Sequence, residues 1–243
     1  MQRSAPRLSR ILACAAVPVM LVAAGCSSGS DSGDKGSGSP DQASSAPATP
    51  KPTQSTKAVE PARYAKLPDV CKAISAKTVE TLVPKAKNKN GTAAASSDLT
   101  SRGGCSWNGL EDKGVKGSQY RWLDVSYYRY ESDATLGSGQ ERAAENHTKE
   151  LAKIQATPGA KKLRTTPTPG LGDQADTVNF ELRKTDADFR YASVVARTGN
   201  VLVLLSYNGA GYAGAKTPSE KWITESALKA AKEAVAAVAT ANK

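Results

Sequence analysis

Histidine is almost missing from this chain of 243 residues: His147 is the only one. A Ser-His-Asp triad, or a metal site using imidazole, would have to be built on that single ring. It falls within AAENHTKEL, a charged helical stretch, and this predicts a solvated histidine on a helix surface. No HExxH or phosphate-binding P-loop occurs. None of the four cysteines forms C-x-x-C, which argues against a redox pair or metal thiolates. Aromatic residues make up only 5% of the chain. Long apolar runs are also missing, because the longest, ILACAAVPVMLVAAG, stops short of the about 20 residues a membrane-spanning helix needs.

What is present begins with an address. MQRSAPRLSR is basic with no acid, the short apolar run follows, and small residues close it, as in a secretory signal peptide over residues 1–25. The closing LVAAGC resembles the lipobox of bacterial lipoproteins, with Ala23, Ala24 and Gly25 before a cysteine; Ala23 stands where Leu is more usual. The resemblance implies a diacylglyceryl thioether on Cys26 and cleavage before it. Two acyl chains, at about 0.8 kcal/mol per buried methylene, hold a protein stably on a membrane where one would be marginal. The expected location is therefore the extracytoplasmic face of the cell membrane. Losing Arg3, Arg7 and Arg10 reduces the formal charge from +10 to +7, a modest surplus.

Residues 26–66 read as the lipidated cysteine and a disordered tether rich in Ser, Gly and Pro. Val59 and Tyr64 are its only large apolar side chains, too few to offset the entropy of ordering the backbone. A coil of that length reaches roughly 35 Å. With Cys14 removed and Cys26 lipidated, Cys71 and Cys105 remain, and in an oxidising compartment they are expected to pair. Closing that loop stabilises a domain by about 4 kcal/mol in the chain-entropy account.

Residues 67–243 predict one α+β domain: an antiparallel β-sheet with N-terminal, middle and C-terminal helices packed on it. Asp69 to Leu82 is helical in pattern, with Ser75 as an internal cap that could divide it. A short strand is expected around Cys105 and Trp107, and SQYRWLDVSYYRY has strand period, with Leu123, Val125 and Tyr127 on one face. Gln140 to Gln155 is helical. The segment TPGAKKLRTTPTPGLGDQA reads as a loop. Three strands follow, the last two joined by Gly199-Asn200, and VLVLLSY is apolar on both faces, which places it centrally in the sheet. Thr217, Pro218 and Glu220 suggest a capping box for a last helix striped with Leu228, Ala231, Val235 and Val238.

Gly209, Gly211 and Gly214 have the G-x-G-x-x-G spacing of a dinucleotide loop. The setting is wrong, because an antiparallel hairpin precedes them and no strand follows the helix. They predict a mobile loop with Tyr212 at its tip and no cofactor.

LPDVCKAIS, GGCSW and GLGDQA, in that order and ahead of a strand hairpin and closing helix, resemble the secreted actinobacterial lipoproteins grouped as domain of unknown function 3558. The resemblance implies an actinobacterial source and an α+β fold similar to the sheet-and-helix sandwiches of mycobacterial lipoproteins and kinase sensor domains. It supplies no catalytic residue.

Two carboxylate pairs, Asp173 with Asp176 and Asp186 with Asp188, are the candidates for acid-base chemistry, though both lie where Asp serves turns and strand ends. Tyr120, Trp122, Tyr128 and Tyr130 share one strand face and could form an aromatic ligand-binding platform for sugars, peptides or apolar molecules. Lys85, Lys87 and Lys89, and Lys161, Lys162 and Arg164, are basic loop clusters that could meet anionic lipid or wall polymer. An exported chain makes nucleic acid an improbable partner, and no metal site is expected. The reading is a non-catalytic module that binds a small ligand, cell-wall polymer or envelope protein, with a small envelope hydrolase as the alternative. A deep cleft joining Asp173 or Asp176 to another ionisable group would favour the hydrolase.

Overall fold

The two-residue period of SQYRWLDVSYYRY is realised as strand β3 (Ser118–Arg129), whose Leu123, Val125 and Tyr127 are sealed in the core. Tyr120, Trp122, Asp124, Ser126 and Tyr128 alternate with them on the opposite face, half-exposed. The structure, a computed structural model, describes residues 58–243; the signal segment, Cys26 and the tether through residue 57 lie outside them. Six further strands complete the sheet: β1 (Thr92–Ala93), β2 (Arg102–Glu111), β4 (Lys161–Pro167), β5 (Gln174–Lys184), β6 (Ala187–Thr198) and β7 (Val201–Tyr212). They pair antiparallel in the order β1-β2-β3-β7-β6-β5-β4. The expected α+β architecture is present, and the doubly apolar VLVLLSY is the central strand, bonded to β3 on one side and β6 on the other.

Helix α3 (Glu220–Thr240) packs on the inner face against β6 and β7. Its buried stripe is Ile223, Ala227, Ala230, Ala231, Ala234 and Val238, so the expected stripe is rotated: Ala231 and Val238 face the sheet, while Leu228 and Val235 flank the contact. Alanine bulk is small enough that either rotation satisfies the sequence pattern; the sheet selects one. Helix α1 (Ala76–Leu82) lies on the same side, capped by Ser75, and only this second half of the expected Asp69–Leu82 helix is helical. The hydroxyls of Tyr127 and Tyr207 donate to the carbonyls of Ala234 (3.0 Å) and Leu82 (2.5 Å), fixing α3 and α1 to the sheet. Burial pushes both phenols well above the usual tyrosine range. Cys71 and Cys105 are disulfide-bonded, and this ties the segment before α1 to β2.

Four further expectations change. The segment KKLRTTP forms edge strand β4 rather than loop; it is mostly exposed, so no apolar alternation announces it. Gly209 and Gly211 lie within β7, where a Cβ would stand 2.9 Å from the Tyr120 carbonyl oxygen and 2.2 Å from that of Ala215; they serve close backbone approach rather than a mobile loop. The cap of α3 is Ser219, whose Oγ accepts from the Trp222 N–H, while Thr217 donates to the Asp188 carbonyl. Finally, Tyr64, assigned to the tether, is 7% exposed and belongs to the core, so ordered packing begins before residue 67.

The reason is Asn200, which is 0% exposed at the tight turn between β6 and β7. Its Oδ1 accepts from the Tyr64 N–H at 2.7 Å, and its Nδ2 donates to the carbonyls of Tyr64 (3.0 Å) and Tyr130 (2.8 Å). One side chain thus satisfies backbone groups of two distant segments. Asn200→Ala leaves them unpaired and should cost about 2–3 kcal/mol in urea denaturation. A loss below about 1 kcal/mol would mean that water takes over the role of the amide.

Candidate functional site

The outer face of the sheet, opposite α3, is partly covered. Helix α2 (Gly139–Gln155) crosses β5, β6 and β7 there, capped by Ser138 in a reciprocal box with Glu141. Its buried residues are Gly139, Ala143 and His147. This corrects the reading of His147 as a solvated residue, for the ring is 1% exposed. The charged residues around it occupy the other sides of the helix, and His147 falls one turn from Ala143 on the stripe facing the sheet.

The His147 Nε2 lies 3.2 Å from the Val195 carbonyl and 3.5 Å from Asp176 Oδ2, and Nδ1 has no partner. Burial holds the imidazole below the usual histidine range, against the pull of that carbonyl and of Asp176. The ring is therefore neutral, with Nε2–H donating to Val195. Asp176 does meet an ionisable group, but beneath a helix; the hollow of about 320 Å³ that Asp176 borders with Asp173 is not lined by His147, and no hydroxyl or thiol bonds the ring among the described residues.

The other carboxylate candidates are held in structural contacts. Asp173 accepts from the Gly199 N–H at 2.6 Å and from Arg197 at 3.3 Å, clamping the turn before β5 onto the β6–β7 turn. Asp186 occupies the β5–β6 turn with φ 60°, and Asp188 pairs with Arg183 at 3.1 Å. Of the basic clusters, Lys89 reaches Glu80, Lys162 reaches Glu181 and Arg164 pairs with Glu220, so part of their charge is balanced locally.

The aromatic row divides in two. Tyr128 and Tyr130 lie at the α2 end, where Arg142 stands 5.9 Å from the Tyr130 ring centre. Tyr128 and Arg102 border two adjoining hollows of about 270 and 310 Å³. Tyr120 and Trp122 lie at the other end. Tyr120 packs edge-on to Phe189 at 5.9 Å, beside Tyr212 and a stacked Phe180–Tyr191 pair at 4.7 Å.

Between these ends is a residue the sequence reading missed. The Trp122 Nε1–H donates to Asp124 Oδ1 at 2.8 Å; Oδ2 has no partner among the described residues, and no basic side chain pairs with the group. Ser106 and Ser206 flank Asp124 on the neighbouring strands. Burial pushes its pKa up to about 6, against the Trp122 hydrogen bond, which favours the anion. The signal was in the sequence: RWLDV puts an acid in the middle of a strand, where Asp is disfavoured, two residues from the tryptophan it bonds. No cluster of three or more His, Cys, Asp or Glu suited to a metal occurs among the described residues.

A carboxyl whose folded pKa exceeds its unfolded value is tolerated best when protonated. Asp124 costs little below about pH 4 and progressively more as pH rises through about 6. Asp124→Asn keeps an acceptor for Trp122 and removes the charge. It should raise stability by roughly 2 kcal/mol near pH 7.5 and by little near pH 4, read from urea midpoints. Equal effects at both pH values would rule out carboxylate burial as the cause.

No family model matches this chain, and no curated protein matches it. Among solved structures it is similar to the crystal structure of LpqN, described as involved in cell envelope biogenesis of Mycobacterium tuberculosis. Identity is 12%, the match covers 59% of this chain and 82% of that one, and the TM-score is 0.31. At this level of similarity no function transfers from one to the other.

Proposed function

We propose that this chain is a lipid-anchored lipoprotein of the extracytoplasmic face of the cell membrane, related to the domain of unknown function 3558 lipoproteins. Its domain is a non-catalytic binding module working through the outer face of β3 and β7. The address rests on the signal-like N-terminus and on Cys26 at the end of LVAAGC. Among the described residues no helix is long and apolar enough to cross a membrane, so attachment would depend on the acylated cysteine.

The observation that carries the binding reading is Asp124. A half-buried carboxylate with one unpartnered oxygen opposes folding at neutral pH, and such groups concentrate where a ligand supplies the missing partner. The hydrolase alternative would have to use His147 with Asp176, and substrate cannot reach a ring under α2 without moving the helix. Candidate partners are a small ligand, a cell-wall polymer or an envelope protein.

Radiolabelled palmitate should enter the wild-type protein in its host and not Cys26→Ser, which should appear in the medium. A Cys26→Ser protein that stays in the membrane would remove the proposed anchor. Native mass spectrometry of the lipoprotein extracted from its own membrane should find a retained molecule that Trp122→Ala loses. A molecule retained equally by both would place binding elsewhere.

A further inference from the structure

Two neighbouring rows of side chains run across the strands of the outer face. The register aligns Asn108, Trp122, Asn208 and Tyr191 in one row, on β2, β3, β7 and β6. The adjacent row places Ser106, Asp124 and Ser206 on β2, β3 and β7. The side chains of Asn108, Asn208 and Ser106 make no hydrogen bond within the described residues, and neither does Asp124 Oδ2. Ser206 has only a long 3.5 Å contact to the Ser193 hydroxyl. Partly sheltered polar groups without protein partners hold water until something else satisfies them.

The chemistry of these rows narrows the occupant. They contain no lysine or arginine, so they offer nothing to a phosphate or carboxylate. Their one acid, Asp124, belongs to no group of three or more His, Cys, Asp or Glu among the described residues, which disfavours a dedicated cation site, and the ammonium at the Tyr191 end, Lys184, is already bonded to the Tyr191 hydroxyl at 3.0 Å. A protein partner would want an apolar centre, and here amides, hydroxyls and a carboxylate occupy it. The half-exposed rings of Trp122 and Tyr191, the latter with one face stacked on Phe180 at 4.7 Å, are interleaved with donors and acceptors and suit a ligand with hydroxyls on its edges and C–H groups on its faces.

Resting on the binding reading above, we infer that a linear neutral oligosaccharide lies across β2, β3, β7 and β6. Its rings cover Trp122 and Tyr191, and its hydroxyls reach Asp124, Ser206 and the two asparagine amides. Adjacent strands are about 4.8 Å apart, close to the ~5 Å advance of one hexose unit, so each sugar meets the next strand in register.

The test uses the mature full-length chain carrying Cys26→Ser and follows the Trp122 indole N–H resonance. The probes are maltohexaose, cellohexaose and chitohexaose, with their monosaccharides. At least one hexasaccharide should move that resonance, binding at least about 10-fold tighter than its monosaccharide. Trp122→Ala and Asp124→Asn should each weaken binding about 10-fold, and Leu163→Ala, on the exposed edge strand β4, should not. No shift with any hexasaccharide at about 10 mM, or an affinity independent of chain length, overturns the inference. A retained molecule in native mass spectrometry that depends on Trp122 and is not a saccharide also overturns it, and leaves the binding face standing.

Discussion

Burial of β7 on both faces is the constraint from which the rest of the fold follows. Leu205, Val203 and Tyr207 face α3 and α1, while Leu202, Leu204 and Ser206 face the side that α2 crosses. A strand with no solvated face must be central, with partners on each edge and a layer above and below. β7 therefore joins the β2–β3 hairpin to the β4–β5–β6 meander, although β3 and β7 are separated in sequence by α2 and three strands. The tyrosine hydroxyls that bind the Ala234 and Leu82 carbonyls secure the inner layer to this strand and its neighbour.

The outer layer is less complete. α2 covers β5, β6 and β7 with a stripe of small residues and one neutral histidine, leaving much of β3 half-exposed. Burial acts on two titratable side chains of this face with different results. His147 loses its charge and settles as a hydrogen-bond donor to backbone, whereas Asp124 remains ionised at neutral pH with one oxygen unsatisfied. The first arrangement supports the fold. The second opposes it, and this is the observation behind the proposed binding face.

The sequence showed those elements whose pattern contrasts with water. β3 was legible from strict alternation, β7 from its lack of alternation, and the cysteine pair from elimination. β4 was not, because an edge strand with exposed side chains has the composition of a loop. His147 was misread because charges on three sides of a helix say little about the fourth. Tyr64 was misread because one aromatic in a Pro- and Ala-rich stretch is unremarkable until Asn200, 136 residues later, bonds both its N–H and its carbonyl. Of the candidate site, the aromatic row was visible on a single strand. Its polar complement was not, since Asn108, Ser206 and Asn208 enter only through cross-strand register.

The start and end of the domain meet at one corner. Tyr64 is gripped by Asn200, and Asn242 accepts from the N–H groups of Ala65 and Lys66 while donating to the Lys66 carbonyl. Residues 60 and 61 are held further out, by Ser132 and Gln140, so both ends of the described chain are fastened side by side and the loss of one asparagine leaves the other contacts to hold that corner.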